Sequence, residues 1–338
     1  MENYKRTTYV VFWFTLLCFS FLNLKLLAQT KDSNIKNDKD TSYFWLYKRL
    51  PILNNFRFIP NHVVTDPFIN TFINLNAGSG LALDLKSYVK NLQGEVFDTL
   101  SGDLSYLSGS IEFQYAVNDW LAFSGSFGGS GRMGSNWYTI LTSGVSYTTG
   151  YSLGGKIRIW ENNKMFLAGT IDFSSQDIAL YSIYDFVKEV YYSGGDLDSA
   201  ANSLLEKDNT YLAFINANYA YAPTDWCGIT AVAGWGISQA FQTKERGNFR
   251  IGATFSIDFD NVEFIKFPIG IVASSKYNTY AETGSISSNI FMYGFKIAYT
   301  GHKDFDIGIE NTYQTVSYSL SEEKVNTILT TFNLRYYF

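Results

Sequence analysis

The sequence predicts an all-β chain: a transmembrane antiparallel β-barrel of about twelve strands, with short periplasmic turns and long extracellular loops that carry short helices. Three observations predict it. Apolar and polar residues alternate with period two over segments of roughly 10 to 14 residues, longer than the about 5 to 6 of an average soluble strand. The connections between these segments alternate between short and long. The composition also favours strands: the 338 residues include 25 Tyr, 28 Phe, 7 Trp and 27 Gly against 5 Pro, which suits pleated, half-buried surfaces better than helical bundles. With 46% hydrophobic and 17% charged residues and a net charge of −5, the chain is neither a disordered segment nor a nucleic-acid coat.

In chain order, Lys5 and Arg6 precede an apolar run over residues 9–24, followed by Leu26, Leu27, Ala28 and Gln29. This is the charged n-region, h-region and small-residue cleavage point of a signal peptide, expected over 1–28 and removed after Ala28. A retained helical anchor fits less well, because Lys25 ends the run short of the roughly 20 residues a spanning helix needs. Removal of that segment with its Cys18 leaves Cys227 as the one cysteine, so an internal disulfide is not expected. Residues 29–42 are polar and aperiodic and read as a flexible leader. Residues 43–68 turn aromatic and irregular, with Pro51, Pro60 and Pro67 blocking a long helix or an inner strand. The expectation for 29–68 is a flexible, aromatic periplasmic segment, either docked on the barrel from that side or an extended tether.

The barrel is expected over 69–338, with strands near 71–80, 103–117, 120–131, 149–160, 164–174, 209–221, 225–238, 248–259, 267–280, 288–300, 305–319 and 326–338. Ile111, Phe113, Tyr115 and Val117 alternate with Ser110, Glu112, Gln114 and Ala116; Phe249, Ile251, Ala253, Phe255 and Ile257 alternate with Arg250, Gly252, Thr254, Ser256 and Asp258. Short turns are expected at 118–119, 161–163, 223–225, 260–263 and 301–304, and longer links at 81–102, 132–147, 176–208, 239–247, 281–287 and 320–325. Trp120, Trp160 and Trp226, with Tyr115 and Tyr221, lie beside the short turns, as an inner aromatic girdle requires. The longest link carries Ile183, Phe186, Val187, Val190 and Tyr191 at helical spacing, then Gly194-Gly195 and Asp196 and Asp198 as candidate helix caps.

At the C-terminus, Phe332, Leu334, Tyr336 and Phe338 share one face and the sequence stops on Phe338. This resembles the terminal strand of Gram-negative outer-membrane proteins, whose last aromatic is read by the barrel assembly machinery; Asn333 stands where many have Gly. From Phe56 onward the chain also resembles a group of outer-membrane barrels of unassigned function from Bacteroidota-like bacteria, through FRFIP, TGYSLGGKIRIW and KMFLAGTIDFS. That resemblance implies a fold and an outer-membrane location, with lipid, lipopolysaccharide and the assembly machinery as partners. It implies no activity.

Chemistry-bearing motifs are sparse. His62 and His302 are the only histidines. A Ser-His dyad on the lipid-facing wall at the outer leaflet would need an imidazole there, whereas His302 falls in a short turn at the opposite face. Metal catalysis needs clustered ligands that the sequence lacks, and no metal or cofactor is expected. The run 129–134 matches GxGxxG and could open a helix over 135–145, but the strand before it is half polar and residues 147–155 offer no acid, so a Gly-rich strand end is the better reading.

The alternation turns Glu112, Lys156, Arg158, Asp172, Arg250, Asp258, Lys296, Asp306, Glu310 and Arg335 inward as candidate lumen-lining residues. Their mixed signs suit a ladder of ion pairs that stiffens the barrel, or a lined passage without strong charge selectivity. The expected role is therefore a narrow channel or transporter for a small polar or amphipathic solute, and not an enzyme. The alternative is a non-conducting accessory barrel that binds an envelope partner through Phe44, Trp45, Tyr47, Phe56 and Phe58.

Overall fold

The computed structural model describes residues 50–90, 96–134, 145–181, 205–240, 246–281, 287–318 and 324–338, together with Tyr192. The expected signal peptide, the leader, residues 43–49, the helices placed in the longest link and the helix after Gly134 lie outside the described residues.

A two-residue hairpin opens the fold, β1 (Ile52–Leu53) with β2 (Phe56–Arg57). Asn54 and Asn55 take φ of 49° and 64° at its turn, the left-handed region that Asn tolerates better than most residues. Twelve long strands follow: β3 (Phe72–Lys90), β4 (Val96–Ala116), β5 (Leu121–Gly134), β6 (Val145–Glu161), β7 (Met165–Tyr181), β8 (Leu205–Tyr221), β9 (Cys227–Ala240), β10 (Arg246–Asp258), β11 (Ile269–Ala281), β12 (Ser287–Tyr299), β13 (Phe305–Tyr318) and β14 (Lys324–Tyr337). Each pairs antiparallel with its sequence neighbours, and β14 pairs with β3 to close the barrel. Closure leaves no free edge, the condition for spanning lipid with strands.

The period-two pattern sets what faces where. Phe113, Phe123, Phe127, Leu153, Ile171, Ile215, Trp235, Ile251, Phe255, Phe295, Ile309 and Phe332 are exposed on the outer wall, an apolar surface far larger than a soluble protein carries. Their neighbours in sequence, among them Asn74, Gln114, Lys156, Asn216, Thr254, Lys296, Glu310 and Arg335, are buried on the inner wall. Trp120, Trp160 and Trp226 are exposed beside the short turns.

β6 begins at Val145 and β7 runs to Tyr181, further into the expected links than the sequence reading placed them, and two other boundaries differ more. The expected 81–102 link is largely strand, since β3 runs to Lys90 and β4 starts at Val96, with register shifts between Ala82 and Leu85 and between Val89 and Lys90. The expected tight turn at 260–263 is longer, because β11 starts only at Ile269. Asp258 accepts from the Asp260 amide to cap a 3-10 turn over Phe259–Asn261, and Pro268, lacking an N–H, delays the next ladder. The glycine run 129–134 belongs to β5.

Candidate functional site: the plugged lumen

Residues 50–68, for which the sequence left open docking on the barrel or an extended tether, lie inside the barrel. This stretch enters the barrel at the short-turn end, reaches about the middle of the strands and returns to β3. Phe56, Phe58, Val63, Val64, Phe68 and Ile69 are buried. The physical reason is room on the inner wall. A side chain at Gly228 would strike Phe56 and Phe58, one at Gly252 would touch Val64, and one at Gly294 would strike Val63. Alanines do the same near the mouth, where Ala116, Ala122, Ala168, Ala220 and Ala222 pack with the plug's phenylalanines and Phe166. Phe68 lies 5.2 Å from Phe166 and Phe56 packs edge-on to Phe58 at 4.8 Å.

Polar contacts tie the plug to the walls around it. Near the mouth, Asn54 Nδ2 donates to the carbonyls of Ala222 and Pro223, both at 3.3 Å. Arg57 donates to the His302 carbonyl through Nη1 and to the Phe305 carbonyl through Nη2 at 2.7 Å. Deeper in, Lys296 Nζ donates to the Pro60 carbonyl at 2.8 Å and pairs with Asp306 at 2.7 Å. The His62 amide donates to both Glu310 oxygens at 3.1 and 3.0 Å. Gln114 Nε2 donates to the Phe68 and Asn70 carbonyls, both at 2.9 Å.

Asp66 is the hub. Its Oδ2 meets Arg335 Nη1 at 2.7 Å and its Oδ1 lies 3.5 Å from Lys156 Nζ, so one carboxylate of the plug joins β14 to β6 across the lumen. Lys156 Nζ also donates to the Asp66 and Phe68 carbonyls at 2.8 and 3.1 Å. Burial alone would raise the Asp66 pKa, but the Lys156 ammonium and the Arg335 guanidinium hold it below the usual carboxylate range. His62 shows the opposite balance. Enclosure by the wall, then Lys296 and Arg335, lowers its pKa to about 4. The ring still presents surface to the lumen space above the plug, so water screens part of this effect, and it meets Asn333 Nδ2 at 2.6 Å.

The ten inward candidates fall into three groups. Lys156, Lys296, Asp306, Glu310 and Arg335 surround the plug, and Glu112 joins them 3.6 Å from Arg335 and through Asn74 Nδ2 at 3.1 Å. Arg158 and Asp258 sit instead at the short-turn rim: Arg158 pairs with Asp119 and, at 2.7 Å, with Glu161, while Asp258 accepts from Thr300 Oγ1 at 2.8 Å. Asp172 and Arg250 meet at 3.3 Å in the long-loop half. The sequence reading missed Asp66, Asn333, Gln114 and Lys276 as partners in these clusters. Their inward parity on the strands was a usable signal for the last three; Asp66 had none, because the plug has no period. His302 stays in its turn, its Nδ1 accepting from the Asp304 amide at 3.2 Å. Among the described residues no three His, Cys, Asp or Glu side chains group as a metal site.

No protein-family model and no curated protein matches the chain. Among solved structures it is similar to the translocator domain of the autotransporter NalP from Neisseria meningitidis, at 10% identity and a TM-score of 0.48, over 81% of this chain and 90% of that one. It is also similar to the COG4313 outer-membrane channel from Pseudomonas putida F1, at 12% identity and a TM-score of 0.46, over 89% and 100% of the two chains. The Pseudomonas putida toluene transporter TodX follows at 11% identity and a TM-score of 0.40, over 88% and 100%. These likenesses speak to chain architecture alone. The protein is a closed twelve-stranded antiparallel barrel with an apolar outer wall and residues 50–68 folded into its lumen.

Proposed function

We propose that the protein is a gated passage for small solutes in the outer membrane of a Gram-negative bacterium, closed at its short-turn end by residues 50–71. In this reading the chain is exported, cleaved after Ala28 and assembled through the face of Phe332, Leu334, Tyr336 and Phe338. The apolar outer belt supports residence in lipid. One observation carries the passage reading. Residues 50–68 are seated in the lumen by side-chain contacts and ion pairs, while among the described residues their only strand pairing is their own hairpin, β1 with β2. A segment outside the barrel's ladder leaves without breaking the wall. Phe56 and Phe58, which the accessory-barrel alternative offers to an envelope partner, are buried inside instead, which weakens that alternative.

Single-channel recording in planar bilayers tests the proposal. The full chain should be mostly silent with rare openings, and a variant lacking residues 50–68 should conduct steadily. A folded deletion variant that stays silent and fails liposome-swelling assays with sugars, amino acids and small organic acids would refute passage and leave the accessory barrel.

A further inference from the structure

The charges around the plug answer one another; those just beyond it do not. On the inner wall of the long-loop half, Arg250 of β10 stands opposite Asn278 of β11, and Lys276 of β11 stands opposite Gly252, the next inward position along β10. Val64 at the tip of the plug lies against the same Gly252, so both cations flank the lumen immediately above the plug. Among the described residues, Asp172 is the one carboxylate that acts on both. Its Oδ2 lies 3.3 Å from Arg250 Nη2 and already accepts from Asn216 Nδ2 at 2.7 Å. Lys276 feels both Arg250 and Asp172 electrostatically, yet it makes no hydrogen bond or salt bridge among the described residues. Arg250 is held in place with its guanidinium carbon 3.8 Å over the Phe214 ring.

We propose that Arg250 and Lys276 form an oxyanion-binding site, which takes the carboxylate or phosphate group of a small solute before it meets the plug. The inference rests on the passage reading and names the solute class. Among the described residues, two cations here face one carboxylate whose lone pairs are partly spent, leaving a local surplus of one positive charge. An enclosed ammonium without a counter-charge is costly, and a bound oxyanion offsets that cost with charge-assisted hydrogen bonds. Stacking on Phe214 restricts the guanidinium, so less rotamer freedom is lost when the ligand arrives.

Binding to the full chain in nanodiscs tests this by calorimetry, with benzoate and inorganic phosphate as probes and choline and mannitol as controls. Both anions should bind and neither control should. Lys276→Gln should weaken anion binding at least about tenfold, the loss of one charged hydrogen-bonding partner. Asp172→Asn removes the competing carboxylate and should tighten binding severalfold, a gain that misfolding does not produce. Absence of anion binding to the parent chain, equal binding of choline, or an Asp172→Asn variant that folds but binds more weakly would each overturn the site. Anion binding in a barrel that never conducts would remove the passage reading and leave the site. Steady conductance after plug deletion with no anion binding would do the reverse.

Discussion

Replacing Asp66 by Asn removes the single negative charge that faces both Lys156 and Arg335 inside the lumen. Stripping a buried ion of its partner costs about 3–5 kcal/mol. Here the remaining contacts soften the loss: Lys156 keeps the Asp66 and Phe68 carbonyls at 2.8 and 3.1 Å, and Arg335 keeps Glu112 at 3.6 Å. The lower end, about 3 kcal/mol, is therefore the expected weakening of the docked plug, or roughly a hundredfold in the ratio of docked to undocked chain. Arg57 reports that ratio. Docked, it is buried with its guanidinium on the His302 and Phe305 carbonyls, and trypsin reaches the Arg57–Phe58 bond only when the segment leaves. Where undocking and redocking are fast relative to cleavage, the rate follows the undocked population. Cleavage of Asp66→Asn should be about a hundredfold faster than that of the parent at equal trypsin, with heat-modifiable gel migration showing the barrel intact. A rate within threefold of the parent would mean that the ion pairs do not hold the plug.

Acidification should also loosen the plug. Docked His62 resists protonation down to about 4 through enclosure, Lys296 and Arg335, while the free ring titrates near 6.5, so docking stability is whole above pH 6.5 and declines as the pH falls toward 4. The Arg57 cleavage rate should rise across that window, modestly because the ring faces lumen water, and His62→Gln should flatten the rise. Gly228→Val places a side chain where Phe56 and Phe58 sit; it should speed Arg57 cleavage by about five- to a hundredfold, as overpacking by about 1–3 kcal/mol implies, with the barrel's gel shift unchanged. Phe338→Ala should lower the yield of membrane-assembled barrel in cells severalfold while leaving refolding in detergent near the parent level; equal yields in cells would remove the assembly role from this terminus.

Twelve strands were legible because a wall with lipid on one side and polar space on the other forces alternation on every inner position. Strand length was not. In LDLKSYVK of β3 and VFDTLSG of β4 the alternation fades although the ladder continues, so the period gives no sign of how far these strands run. The plug was illegible for a related reason. Residues enclosed on all sides by a barrel follow neither period, and Pro51, Pro60 and Pro67 told only what the segment is not. The sequence did hold one usable sign. Gly228, Gly252, Gly270 and Gly294 occupy inward positions on four neighbouring strands, and a Cβ at each would meet Phe56, Val64, Ile59 or Val63. Inward glycines on adjacent strands mean that another backbone or bulky side chain approaches there.

Those small inner residues also decide what an unplugged barrel looks like. A narrow barrel closed by its own side chains keeps them when a terminal segment is lost. Here the wall at the short-turn half carries Ala122, Ala168 and Ala220 and the four glycines, so removing residues 50–68 leaves a bore with little to refill it. Closure survives, because the β14–β3 ladder begins at Phe72 opposite Tyr337. The deleted chain takes Arg57 and Asp66 with it and leaves Lys156, Lys296 and Arg335 against Glu112, Asp306 and Glu310, a balanced set. Among the described residues beyond it, the Arg250, Lys276 and Asp172 cluster holds a surplus of one positive charge, while at the rim Arg158 faces both Asp119 and Glu161. Reversal potentials of the deletion variant across a tenfold KCl gradient should therefore shift toward cation preference when Lys276→Gln is added. An unchanged reversal potential on adding Lys276→Gln would contradict the placement of that charge on the inner wall.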